Sequence, residues 1–86
     1  MEGHAFEHYD AAGTVVPLPD NGILKKIIVN TTAAGTIKIY DGGVTGKLIA
    51  SLKSNVAEGT YSYDIAIQTN LTIVLAAASD ITVVYD

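Results

Sequence analysis

The sequence predicts an all-β domain, a single antiparallel β-sandwich of about seven to eight short strands with a jelly-roll or immunoglobulin-like arrangement. Short stretches alternate apolar and polar residues, and Gly, Asn and Asp clusters separate them at intervals of about 8–12 residues. No stretch sustains a helical period. The clearest unit is residues 36–53, where two alternating stretches flank the glycine-rich turn Asp41-Gly42-Gly43.

Composition limits the size of the core and the kinds of partner. The chain has 86 residues, 49% of them hydrophobic, and no cysteine. It is long enough for one domain but has no disulfides, and small domains of this kind often gain stability by oligomerising. With five lysines, no arginine and a net charge of −4, no basic face can neutralise phosphates, so we expect no nucleic-acid partner.

The N-terminal residues follow neither the strand period nor the helix period. We expect residues 1–13 to form an arm, flexible or docked on a neighbour, and residues 14–86 to form the sandwich.

The opening MEGHAFEHYD has no apolar signal-peptide core, which predicts a cytoplasmic start. No apolar run approaches the roughly 18 residues of a membrane span, so no membrane partner is expected.

The first strands of the domain are predicted from prolines and alternation. Residues 14–19 include two prolines, which cannot donate to a ladder, so this strand is expected at a sheet edge. After a turn, residues 23–30 form the next strand. Alternation puts Ile23, Lys25, Ile27 and Val29 on one face and Leu24, Lys26 and Ile28 on the other. Alternating stretches predict the later strands at residues 37–40, 48–52, 61–67, 71–75 and 81–85.

Several of these strands have apolar residues on both faces. The outward face of a monomeric sandwich is normally polar. One explanation is scattered surface aliphatics and a register that is off by one. The other, which we favour because the chain is small and has no disulfides, is a strip buried against another copy or a partner. The residues of this predicted oligomer interface are Leu24, Ile28, Ile49, Val74 and Val84.

No catalytic residue, metal site or cofactor is predicted. His4, Glu7 and His8 match the H-x-x-E-H pattern of a zinc peptidase class. That chemistry needs a helix and a third ligand, and neither is predicted here. The aspartates lack calcium-loop spacing, so turn formation and solvent exposure explain Asp41, Asp64 and Asp80.

The tyrosines offer a possible sugar-stacking platform made of Tyr40, Tyr61, Tyr63 and Tyr85. Tyr61 and Tyr63 share a strand face with two isoleucines, which favours core packing for both.

Between residues 22 and 85 the chain contains, in order, GILKKIIVN, GTIKIYDG, GKLIASL, EGTYSYDIAI, NLTIV and SDITVVY. This order resembles a group of small tailed-bacteriophage structural proteins. The resemblance implies a β-sandwich on the virion surface, above all a head decoration protein and otherwise a tail or fibre component. Such proteins act by multivalent contact, often as trimers. It implies no catalytic residue.

The resulting hypothesis is a non-enzymatic virion structural protein assembled in the host cytoplasm. Its expected partners are further copies of itself, as a trimer, and the major capsid protein or another virion protein. The alternative is a carbohydrate- or host-surface-binding module of a tail or fibre, since sandwiches often carry such sites on loops. That alternative predicts a concave surface lined by tyrosines.

Overall fold

Eight strands are formed by residues 4–86, the part of the chain that the computed structural model describes. They make two four-stranded sheets: sheet A in the order β1-β8-β3-β6 and sheet B in the order β2-β7-β4-β5. All neighbouring strands are antiparallel. The predicted all-β sandwich is therefore confirmed. The strands are β1 (Ala5–Tyr9), β2 (Gly13–Leu18), β3 (Gly22–Thr31), β4 (Ile37–Asp41), β5 (Lys47–Leu52), β6 (Gly59–Ile67), β7 (Leu71–Leu75) and β8 (Asp80–Tyr85).

The strand order is that of a jelly roll. The chain changes sheet at every connection except β4 to β5, which form the one hairpin of sequential neighbours among the described strands. An immunoglobulin-like sandwich would pair more of its sequential strands within one sheet. Of the two predicted arrangements, the structure adopts the jelly roll.

The core lies between the sheets and comes mainly from their central strands β8, β3, β7 and β4. These strands alternate as predicted over most of their length, because every second side chain points to the opposite sheet. The buried apolar residues are Leu24, Ile27, Val29, Ile37, Ile39, Leu52, Val56, Ile67, Leu71, Ile73, Leu75, Ile81 and Val83.

A β-bulge in β3 makes the predicted face of Leu24 wrong. Leu24 pairs with Tyr85 and Lys26 with Val84, so Lys25 is an additional residue relative to β8. An additional residue reverses the alternation on one side of the bulge. Leu24 therefore points inward with Ile27 and is 0% exposed. It lies in the core and belongs to no outer face.

A second bulge corrects the predicted position of Ile49. In β5, Ala50 pairs with Ile39 and Leu48 with Tyr40, which leaves Ile49 as the additional residue. Ile49 is half-buried and packs against the core instead of standing on the outer face. Leu48 takes the outward position and is 53% exposed. The bulge thus exchanges the expected roles of two neighbouring apolar residues.

Both N-terminal strands lie at sheet edges. β2 is an edge strand of sheet B, as its prolines predict, with Pro17 inside a register shift. Residues 5–9 of the predicted arm form β1, which pairs with β8 over five consecutive positions. This part of the arm is therefore a strand of the sandwich itself. Residues 1–3 lie outside the described residues.

Candidate protein contact surfaces

The five predicted interface residues do not form one surface. Leu24 and Ile49 pack on the core side. Ile28 and Val84 lie on the outer face of sheet A, where Ile28 pairs with Thr82 and Val84 with Lys26. Val74 lies on the outer face of sheet B, opposite Lys38. The expected single strip is replaced by two apolar surfaces on opposite sides of the sandwich.

The more exposed of these surfaces is a row across all four strands of sheet B. Tyr40 pairs with both Leu48 and Thr72, and Val16 lies in the β2 bulge that faces Thr72. Val16 is 46% and Leu48 53% exposed, whereas Thr72 between them is buried. Val74 lies in the adjacent row. Face B is the name used below for Val16, Tyr40, Leu48 and Val74.

Face B has the character of a protein contact surface. Its two exposed aliphatic side chains lie on the two edge strands, and the half-buried side chains of Tyr40 and Val74 lie on the strands between them. An extended apolar surface of this kind marks interaction sites on soluble proteins. The turn of the same β4–β5 hairpin adds Val44, which is 54% exposed. The charged strand residue beside it is Lys38, opposite Val74. Of these four residues only Val74 is among the predicted interface residues, although alternation also predicts that Tyr40 points outward. The bulge in β5 reverses the alternation at Leu48, and the pattern of residues 14–19 predicts no face for Val16.

The outer surface of sheet A mixes apolar and charged residues. Phe6, 65% exposed, pairs with Val84, which pairs in turn with Lys26. Histidines flank Phe6 on the same side of β1. We call Phe6, Ile28 and Val84 face A. Its apolar area is divided by charged groups, so face B is the stronger candidate for a large apolar contact.

The residues of the H-x-x-E-H motif lie on β1 and directly before it, in an extended strand. His4 Nδ1 lies 2.8 Å from Asp86 Oδ1, and His8 Nε2 lies 2.6 Å from Asp80 Oδ1. Four residues along a strand span about 13 Å, too far for the two imidazoles to share one metal ion. Within residues 4–86 no group of three or more potential ligands is assembled. Each histidine instead forms a hydrogen bond with an aspartate at one end of β8, and the two bonds connect this part of the chain to β8.

The carboxylate of Asp41 stabilises the β6–β7 turn, whereas its sequence position predicts a role in the turn that follows β4. Its carboxylate accepts backbone N–H groups of Gln68 and Thr69 at 3.0 and 2.9 Å. These two hydrogen bonds lower the pKa of Asp41 below its ordinary value. They fix the β6–β7 turn against the end of β4, next to the row that forms face B.

Asp64 lies in an irregular part of the β6 edge. Its backbone has a φ of 58°, a left-handed conformation that is uncommon outside glycine. Its carboxylate accepts a hydrogen bond from Lys25 Nζ at 2.9 Å. The pair joins the β3 bulge to the edge strand β6.

Replacing Asp80 with asparagine is expected to reduce the loss of stability in acid. Hydrogen bonds from His8 and Asn30 hold the pKa of Asp80 below its ordinary value of 3.8. A carboxylate whose pKa is lower in the folded state stabilises the fold above its unfolded pKa. That stabilisation is lost as the pH falls through the folded pKa. Urea unfolding between about pH 5 and pH 2 should therefore show a smaller decline for Asp80→Asn than for the wild type.

Asp20→Asn is the control for this comparison, since Asp20 is an exposed carboxylate in the turn before β3. Equal acid sensitivity of wild type and Asp80→Asn would contradict the assigned role of Asp80.

The tyrosines are divided between different surfaces. Tyr61 and Tyr63 pack against the core, which confirms the predicted packing role. Tyr40 lies on face B, on the opposite side of the molecule. Tyr61 and Tyr63 therefore do not share a stacking platform with Tyr40.

Among residues 4–86 no helix has the length and apolar character needed to cross a membrane. No protein-family model and no curated protein matches the sequence. Among solved structures, the chain is similar to the core of Drosophila NLP, a structure described in terms of pentamer formation and histone binding. The two superpose with a TM-score of 0.59 at 12% sequence identity, over 95% of this chain and 97% of that one. At this identity the likeness establishes a shared fold.

Proposed function

We propose that this chain is a non-enzymatic structural protein of a tailed-phage virion, a head decoration or stabilising protein that forms a homo-oligomer. The observation that carries the proposal is face B, a partly exposed apolar surface with one residue on each of the four strands of sheet B. Face B is the contact between copies within the oligomer, and the oligomer docks on the major capsid protein or another virion protein.

The energetics of face B suit such a contact. Complete burial of a valine or leucine side chain contributes about 1.5–3 kcal/mol relative to full exposure. Val16 and Leu48 are about half exposed, so each retains roughly half of that contribution for association. A few such residues support a moderate contact between two copies. Repetition of moderate contacts around an oligomer and over a particle surface then produces high avidity.

The geometry favours a closed oligomer. Faces A and B lie on opposite sides of the sandwich, so face A of one copy packed on face B of the next would build an open filament. Contacts made through face B alone avoid this outcome, because like parts of face B that meet about a two-fold axis close as a dimer and different parts that meet around a three-fold axis close as a trimer. The pentamer formation described for the Drosophila NLP core is a precedent for self-assembly by a chain of this fold. The trimer of the proposal is the number that the phage resemblance implies.

Two properties support the virion setting. Jelly rolls are frequent in viral capsid domains, and the order of motifs between residues 22 and 85 resembles small tailed-phage structural proteins. Neither property depends on face B, so the setting and the contact are tested separately.

Replacing Leu48 with lysine is expected to dissociate the oligomer. Leu48 is exposed on the edge strand β5, so the charge is tolerated by the monomer but not inside an apolar contact. Light scattering after size exclusion should give the wild type a mass of several times 9.0 kDa and Leu48→Lys a smaller mass, no greater than that of a dimer held by another contact.

Thr60→Lys, an exposed outward position on the β6 edge of sheet A, is the matched control and should keep the wild-type mass. A monomeric wild type, or an unchanged mass for Leu48→Lys, would remove face B as the contact between copies.

Antibodies against the chain test the virion setting. Immunogold labelling of phage particles from the organism that carries this sequence should decorate the heads at regular positions. Labelling confined to tails would assign the protein to the tail or fibre instead of the head. Particles without label would refute the virion proposal.

A further inference from the structure

The four sheet edges differ in how well they are protected against pairing with another chain. β2 contains Pro17 and a register shift, β5 contains the bulge at Ile49, and β6 contains the irregularity at Asp64. Prolines and bulges of this kind are the devices by which proteins block edge-to-edge association. Three of the four edges in the described part of the chain therefore carry a protective feature of this kind.

β1 is the least protected edge. It pairs with β8 over five consecutive positions without a register shift and contains no proline, glycine or lysine. Its protective features are its short length and one carboxylate, Glu7, on the side of the buried Val83. One side of its backbone is bonded to β8, and the other faces solvent with a row of N–H and C=O groups available for pairing. Phe6 at its centre is 65% exposed. A regular strand with a free backbone side and an exposed aromatic residue is a template for strand addition.

We propose that β1 pairs antiparallel with β1 of a second copy about a two-fold axis at Phe6, joining two A sheets into one eight-stranded sheet. This contact is separate from face B and does not depend on the proposed function. On a particle it would link neighbouring oligomers side by side.

The side chains of β1 select the second copy and the register. Outward residues must oppose outward residues in a continuous sheet, so the axis passes through a residue position. An axis at Phe6 opposes the two phenyl rings, places His4 across from His8 of the other copy, and places Ala5 across from Glu7. An axis at Glu7 would oppose two carboxylates, which destabilises a cross-strand pair. Two aromatic side chains that face each other stabilise a cross-strand pair. The self-complementary register is therefore the one whose axis passes through Phe6.

The neighbouring strand extends this apolar contact. Val84 pairs with Phe6 in the same copy. Across the axis, the outer face of the joined sheet therefore has a row of four apolar side chains, in the order Val84, Phe6, Phe6 and Val84. This arrangement accounts for apolar residues at outward positions that are normally polar in a monomeric sandwich. The His4–Asp86 and His8–Asp80 pairs join β1 to β8 at both ends of this row.

Single cysteines test the register directly, because the chain has none of its own. Directly opposed residues of an antiparallel pair have Cβ atoms about 4.5–5.5 Å apart, close to disulfide reach. Under mild oxidation Phe6→Cys is therefore expected to form a covalent dimer at least about tenfold faster than Thr60→Cys, its control on the other edge of sheet A. Mixing His4→Cys with His8→Cys should produce the mixed dimer in excess over both homodimers.

The experiment is done in the Leu48→Lys background, so that failure of face B and failure of β1 pairing are distinguished. Rapid cross-linking of Phe6→Cys in this background supports β1 pairing whether or not face B associates. Cross-linking no faster than that of Thr60→Cys overturns the proposal, as does a statistical mixture of dimers from the two histidine positions. Circular dichroism of each variant before oxidation verifies that the β-sandwich is intact.

Discussion

Truncating Leu24 to alanine is expected to lower the free energy of unfolding by about 2–5 kcal/mol. The β3 bulge turns Leu24 inward, where it is 0% exposed and joins the central core cluster. Removing its side chain loses transfer free energy and leaves a cavity between the sheets. Since domains of this size are stable by only about 5–15 kcal/mol, urea unfolding should show a large shift of the midpoint.

Ile28→Ala is the matched control, because simple alternation places Ile28 on the same face as Leu24. Ile28 is half-buried on the outer face of sheet A, so its truncation should cost about 1 kcal/mol or less. Both substitutions are measured in the Leu48→Lys background, which excludes association through face B. Equal destabilisation by the two would mean that the bulge does not place Leu24 and Ile28 on opposite faces of the sheet.

Replacing Gly46 with alanine is expected to destabilise the protein by about 1–3 kcal/mol. A Cβ atom at Gly46 would overlap the backbone carbonyl oxygen of Asp41 and lie 2.8 Å from the carbonyl carbon of Gly42. Both neighbours are backbone atoms of the same tight turn, so neither moves without distorting the β4–β5 hairpin. The turn is further constrained by Gly42 and Gly43, whose φ angles are 97° and 85°.

Thr45→Ala is the control within the same turn, since Thr45 is exposed and already carries a Cβ atom. It should change the free energy of unfolding by no more than about 0.5 kcal/mol. A Gly46→Ala variant as stable as Thr45→Ala would show that the hairpin accommodates the additional methyl group, and that the close approach of residues 41 and 46 is not required.

The element types follow from the sequence because alternation and turn residues act locally. The strands β4, β6, β7 and β8 each show a period of two that matches their inward residues. The bulges in β3 and β5 have no comparable signal. Lys25 and Ile49 are the additional residues, yet neither is a glycine or lies beside a turn signal, so nothing in the local sequence marks them. Each bulge reversed a predicted face.

The candidate surface was predictable only in part for the same reason. Face B depends on the bulges in β2 and β5, which bring Val16 and Leu48 to the outside beside Val74.

The strand β1 could not be predicted from the sequence for a different reason. Its side chains are exposed except for the half-buried Tyr9, so burial imposes no alternation on its sequence. Its pairing with β8 joins residues more than seventy positions apart, a relation that no local pattern contains.

The position of β8 also determines when the protein can fold during synthesis. β8 lies between β1 and β3 in sheet A, although it is the last of the eight described strands along the chain. Until residues 80–85 leave the ribosome, β1 has no partner and one side of β3 is unpaired. Non-local pairing of this kind is slow and leaves strand edges exposed. Sheet A is therefore completed only once all eight strands have been synthesised, and until then the nascent chain lacks the strand that joins β1 to β3.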